Sequence, residues 1–176
     1  MKKILLIILS TFTLLMCSGC VANVSVPEVE EGYFEFYVIY EIDGVYQTYS
    51  GLYVCKFDGA YITLVGNGIK WDSYIEGTTD QYITTILETD TYRVYLDLGF
   101  DPSYFMDDPN YYGEQPRPSL LVEYNDTETG EIFFVRDELE LYRNYGLRII
   151  DYYYDEPIEN SYYNRWVIGE FEPTIN

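Results

Sequence analysis

The side chains best suited to bind another molecule are concentrated between residues 100 and 118. This stretch has no strand or helix periodicity beyond Asp101-Pro102, a pair that can start a single helical turn. Long structureless segments are uncommon in compact domains and are often functional. Rigid aromatic rings stack on sugar rings or peptide side chains at low entropy cost, so the predicted ligand-binding residues are Tyr104, Phe105, Tyr111 and Tyr112. The alternative is a loop that packs these rings onto a sheet edge.

The same segment carries oxygen ligands for a cation. Asp107 and Asp108 are adjacent, and Asn110 follows two residues later. Calcium takes six to eight oxygen ligands from side chains, backbone and water. Asp107 and Asp108 are therefore a candidate calcium site, and no other cofactor is expected.

The composition narrows the catalytic classes. The chain has no histidine, so Ser-His-Asp and Cys-His nucleophile systems and His-ligated zinc sites are excluded. A pair of carboxylates can hydrolyse a glycosidic bond without histidine, but no local motif selects two of the 30 Asp and Glu residues. A net charge of −20 argues against nucleic acid, because phosphate binding needs Lys and Arg. The expected partners are a cationic protein, a peptide or a glycan.

The amino terminus has the pattern of a targeting segment. Lys2 and Lys3 precede an apolar run from Ile4 to Met16, and small residues follow. This order is typical of a secretory signal peptide. The run is shorter than the roughly 20 residues that span a bilayer as a helix.

The end of that segment, Ser18-Gly19-Cys20, resembles the lipobox of bacterial lipoproteins. The resemblance implies cleavage by signal peptidase II before Cys20 and a diacylglyceryl group on the Cys20 sulfur. Several acyl chains on one residue anchor a protein stably, which implies a place on the outer face of the bacterial membrane. The chain departs from the family at Cys17, where an aliphatic residue is usual. The stretch from Asp43 to Gly59 is also similar to small acidic lipoproteins of low-GC Gram-positive bacteria, and this likeness bears on localisation alone.

Three regions follow from this prediction: a signal peptide over residues 1–19, a lipidated Cys20 with a flexible tether over 20–32, and a single β-rich domain over 33–176. Loss of two lysines with the signal peptide changes the net charge from −20 to −22. With Cys20 acylated, Cys55 has no disulfide partner. It lies in an apolar strand pattern and is expected to be a small buried hydrophobe.

The elements around the loop are predicted to be strands. Residues 33–42 alternate between apolar and polar positions, the period of a half-buried strand. Asp43-Gly44 indicates a tight hairpin, and Asp58-Gly59 indicates another turn. Asp137 and Gly146 bracket one short helix, as N-cap and left-handed C-terminal residue. Eight to ten such strands predict a mainly β fold, an antiparallel β-sandwich or open barrel with one short helix. An α+β fold is the alternative.

The predicted function is a cell-surface, lipid-anchored binding or structural domain rather than an enzyme. The alternative is a small carboxylate-dependent extracellular hydrolase.

Overall fold

The computed structural model of the protein describes residues 21–63, 66–78, 82–125 and 132–168. These residues form ten antiparallel strands in three open sheets with two short helices, which confirms the prediction of a mainly β, antiparallel fold. The predicted signal peptide and Cys20 lie outside the described residues. Within the described ranges, no helix has the length and apolar character needed to cross a membrane.

The strands are β1 (Val21–Pro27), β2 (Glu31–Ile42), β3 (Val45–Thr63), β4 (Gly66–Ile75), β5 (Ile83–Glu88), β6 (Tyr92–Asp97), β7 (Ser119–Asn125), β8 (Ile132–Val135), β9 (Leu147–Tyr154) and β10 (Tyr162–Ile168). The helices are α1 (Pro102–Phe105) and α2 (Glu138–Tyr145).

The chain divides into two compact units, and the first contains the paired strands β1 and β10. They run antiparallel, from Val21 opposite Ile168 to Pro27 opposite Tyr162. Alternate residues of β1 are buried, at Val24 and Val26. The tether predicted over residues 20–32 is therefore corrected, because most of it is strand. The hydrogen bonds that form this strand come from a partner far along the chain, so the short alternation of apolar residues alone did not indicate it.

The second unit, residues 29–56 and 71–160, contains two four-stranded sheets. Their strand orders are β4-β3-β2-β9 and β5-β6-β7-β8, and neighbouring strands run antiparallel. Both β3 and β4 also have residues in the first unit, and the single domain over residues 33–176 stays a prediction.

One hydrophobic core is shared by both sheets of this unit. Alternate residues of β2 point into it, which is why the period-two pattern of residues 33–42 predicted the strand correctly. Its fully buried members include Val38 of β2, Tyr53 and Cys55 of β3, and Leu96 of β6. Burial of Cys55 confirms the expectation for this thiol.

Local turn chemistry fixes the hairpin between β2 and β3. Asp43 has φ 49° and Gly44 has φ 81°, as a tight hairpin turn requires. The second turn expected at Asp58-Gly59 is wrong: β3 continues to Thr63, and Gly59 takes its positive φ of 107° inside the strand.

The helix α2 has the predicted ends. The Asp137 side chain accepts a hydrogen bond from the Glu140 backbone N–H at 2.9 Å, which satisfies one free donor of the first turn. Gly146 ends the helix in the left-handed conformation, which glycine adopts without steric cost.

Candidate functional site

The loop between β6 and β7 is organised by a buried aromatic ring. The Asp101 side chain accepts from the Ser103 N–H at 2.8 Å, and α1 follows. The ring of Phe105 lies 4.8 Å from that of Phe34 and 5.4 Å from that of Tyr53, and the side chain has no exposed area. Phe105 therefore offers no surface to a ligand, which corrects its assignment as a binding residue.

Two further aromatic residues of this loop pack partly onto the core. Tyr104 meets Phe105 edge-on at 5.2 Å and Tyr111 at 5.8 Å, and burial raises the pKa of both tyrosines. This arrangement fits the alternative interpretation of the loop. Tyr112 differs, because 90% of its side chain is exposed, and its role in binding stays a prediction.

The loop carboxylates hold the loop in place. Oδ1 of Asp108 accepts from the backbone N–H of Asn110 at 2.8 Å, and Oδ2 accepts from Trp71 Nε1 at 3.1 Å. Asp107 accepts from the backbone N–H of Asn160 at 3.4 Å. No group of three or more His, Cys, Asp and Glu residues able to hold a metal ion occurs in the described part of the chain. Calcium binding by Asp107 and Asp108 stays a prediction.

A different surface has the features of a binding site: the outer face of the β3-β2-β9 sheet. Side chains of β2 that do not enter the core point to this face, where β2 is flanked by β3 and β9. A shallow groove of about 740 Å³ runs across the three strands. Its lining includes Glu35, Tyr37, Ile39, Ser50, Leu52 and Tyr153.

Two stacked tyrosines form one wall of this groove. Tyr37 of β2 lies opposite Tyr153 of β9, and their ring centroids are 5.7 Å apart with planes 21° from parallel. The Tyr153 hydroxyl donates to Asp155 Oδ1 at 2.7 Å, while Asp155 Oδ2 accepts from the Glu35 N–H at 2.7 Å. The hydrogen bond to Asp155 raises the pKa of Tyr153, and nearby carboxylates including Glu35 raise it further. The pair is thus fixed by its neighbours while remaining open to solvent.

Alternate positions of β2 also place three glutamates on the outer face, and Glu31 is the first. Glu31 Oε1 is 2.8 Å from Lys56 Nζ, on the residue directly opposite in β3. The same ammonium lies 5.6 Å from the centroid of the Tyr74 ring. The hydrogen bond between the two charged groups lowers the pKa of Glu31 and raises that of Lys56. A carboxylate and a tyrosine ring together hold this cation.

Glu41, near the other end of β2, repeats the arrangement. Glu41 Oε2 is 2.6 Å from Arg148 of β9, and the Arg148 guanidinium lies 5.0 Å from the centroid of the Tyr142 ring. The hydrogen bond with Glu41 raises the pKa of Arg148.

Glu35 lies between these two pairs and differs from them. It is exposed in the groove beside Tyr37 and Tyr153, and no cationic side chain of the described residues forms a salt bridge with it. A carboxylate beside π-rich ring faces attracts a positive charge by direct Coulomb interaction and by the ring quadrupole. The groove can therefore bind a cationic group.

Sequence reasoning missed this groove. The alternation over residues 33–42 signals the outward direction of Glu35 and Tyr37, but Tyr153 lies more than a hundred residues later. Only the β2–β9 register brings Tyr153 opposite Tyr37.

No protein-family model, curated protein or solved structure matches this chain.

Proposed function

We propose that this protein is a lipid-anchored binding domain on the outer face of a bacterial membrane and that the groove on the β3-β2-β9 sheet is its ligand site. One observation carries the proposal: Tyr37 and Tyr153 are stacked in an open groove, where Asp155 holds the Tyr153 hydroxyl. Rings held rigidly at a surface offer contact area at little entropy cost on binding.

The lipid anchor is supported by the lipobox-like sequence and by the neighbouring strand. Cys20 directly precedes β1, and Asn23 follows it by only three residues, so the length of the chain between them keeps the two close together. Asn23 pairs with Trp166 of β10, whose side chain is 71% exposed. Tryptophan is enriched where proteins meet the headgroup region of a membrane. A lipid on Cys20 would bring Trp166 to that region.

A carboxylate-dependent hydrolase, the alternative function, requires two carboxylates that flank one bond. The described carboxylates of the groove instead support the tyrosine pair, as Asp155 does, or face solvent, as Glu35 does.

The anchor is tested by expressing the full chain in a bacterium that processes lipoproteins. Intact-mass analysis should show a product that begins at Cys20 and carries the diacylglyceryl mass. Cys20→Ser should abolish the modification, whereas the matched control Cys17→Ser should retain it. A product with its leader attached, or with Cys20 unmodified, would contradict the anchor.

The ligand site is tested by nuclear magnetic resonance on the detergent-solubilised mature chain. The probes are tetra-lysine, a neutral Gly-Ser tetrapeptide and chitotetraose. At least one should shift the amide resonances of β2 and β9, and Tyr153→Leu should weaken that response while Tyr112→Leu leaves it intact. Shifts confined to the Tyr112 loop, or no shift with any probe, would show that the groove is not the site.

A further inference from the structure

The outer face of β2 presents the same recognition unit three times, and two copies are filled by the protein itself. In the first, Lys56 lies between Glu31 and the Tyr74 ring. In the second, Arg148 lies between Glu41 and Tyr142. Each unit consists of a carboxylate and a tyrosine ring that share one cation.

The third unit lies in the groove and contains a carboxylate and tyrosine rings, but an apolar residue occupies the position that the cation has in the first unit. Glu35 has Leu52 opposite it on β3, where Glu31 has Lys56. Directly opposed residues of antiparallel strands have Cβ atoms about 5 Å apart, so Leu52 occupies the position from which an in-chain lysine would reach Glu35. The groove is open to solvent at this point, so a cation from another molecule has access.

From this repetition we infer that the groove binds a lysine or arginine side chain from an extended basic segment of a partner protein. The inference rests on the groove being the ligand site and adds the chemical class of the ligand. A cation there makes the two contacts that Lys56 and Arg148 already make within the chain. The net charge of −20 further favours the approach of a basic partner.

A strand-spanning groove suits an extended segment. Tyr37 and Tyr153 lie side by side on neighbouring strands, and Leu52 and Ser50 continue the groove onto β3. A chain laid across these strands passes Glu35 and the stacked rings together, so one basic side chain can contact both.

The test is a titration of the detergent-solubilised mature chain with tetra-lysine and with the neutral Gly-Ser tetrapeptide, followed by amide resonances in 150 mM salt. Tetra-lysine should shift the groove resonances and the neutral peptide should not. Glu35→Gln and Tyr153→Leu should each weaken binding by about two- to fivefold, and the double variant by about tenfold. Glu30→Gln, which is exposed and removes the same charge, should leave affinity within about 1.5-fold.

Several outcomes would overturn the inference. Equal weakening by Glu30→Gln and Glu35→Gln would show that net charge alone attracts the peptide. Groove shifts of equal size with the neutral peptide, still dependent on Tyr153, would leave the groove as the ligand site but remove the cation from its chemistry. No groove response to any probe would reject the site itself. The amide spectrum of each variant shows whether it is folded. If Tyr153→Leu unfolds, Glu35→Gln still tests the inference, because Glu35 is exposed.

Discussion

Replacement of Leu52 by lysine should turn the groove into a filled copy of the Glu31 unit. Leu52 stands opposite Glu35 as Lys56 stands opposite Glu31, so the new ammonium can reach the Glu35 carboxylate from the neighbouring strand. The stacked rings of Tyr37 and Tyr153 lie beside it. Leu52→Lys should therefore compete with a basic peptide from within the chain.

The size of this competition follows from the pair that already exists. The Glu31 and Lys56 side chains are 40% and 44% exposed, so an exposed ion pair, worth about 0.2–1 kcal/mol, is the appropriate comparison. A cation near an exposed tyrosine ring adds about 0.5–1 kcal/mol. Together the two contacts are worth about 0.7–2 kcal/mol, so molecules with the new ammonium in the groove should outnumber those without it by about 3–30 to one. The apparent Kd for tetra-lysine should rise by about 4- to 30-fold.

The matched control is Val45→Lys, which adds the same charge to β3 outside the groove lining. Val45 is exposed and lies opposite Ile42, seven residues along β2 from Glu35, and the rise of an extended strand over seven residues exceeds the reach of a lysine side chain. This lysine cannot pair with Glu35, and affinity should stay within about twofold of the unmodified chain. The assay is the tetra-lysine titration in 150 mM salt. Equal losses in the two variants, or unchanged binding by a folded Leu52→Lys variant, would refute the reasoning.

Three further predictions concern the core, the thiol and the anchor. Because its ring is fully buried, Phe105→Ala should cost about 3–5 kcal/mol of unfolding free energy in urea, whereas the exposed Tyr112→Ala should change that free energy little; similar losses would contradict the packing of the loop. Burial raises the pKa of the Cys55 thiol from 9.0 to about 12, so the contribution of the protonated thiol to the free energy of unfolding is complete below about pH 9 and falls as pH rises towards 12. Cys55→Ala should reduce this loss of stability at alkaline pH, and rapid labelling of the native thiol would contradict its burial. In a Trp71→Phe background, brominated lipids should quench the fluorescence of Trp166 in vesicle-bound, lipidated protein; undiminished emission with Cys20 acylated would reject contact between Trp166 and the membrane.

The strands and the helix were predictable because their signals are local. Alternation over residues 33–42 defines the buried face of β2, and Asp43-Gly44 supplies the positive φ values of the hairpin. Asp137 and Gly146 fix the ends of α2 by backbone hydrogen bonding and left-handed geometry. Each signal lies within a few residues of the structure it determines.

The errors arose where distant residues decide the outcome. Residues 21–27 form a strand because β10 pairs with them, and Gly59 takes a positive φ without ending β3. In the loop, spacing shows which residues are aromatic, but tertiary packing decides that Phe105 is buried and Tyr112 exposed. The groove depends on strand register in the same way, so no local pattern could identify it.

The most direct test of the central claim locates the bound basic side chain. With the mature chain unlabelled and tetra-lysine labelled with carbon-13, intermolecular nuclear Overhauser contacts should connect the lysine side-chain methylene protons to the rings of Tyr37 and Tyr153. At the same peptide concentration these contacts should weaken in Leu52→Lys, where the in-chain ammonium competes for the unit. Contacts to the Tyr112 ring instead, or none to the groove when the peptide is saturating, would contradict the account.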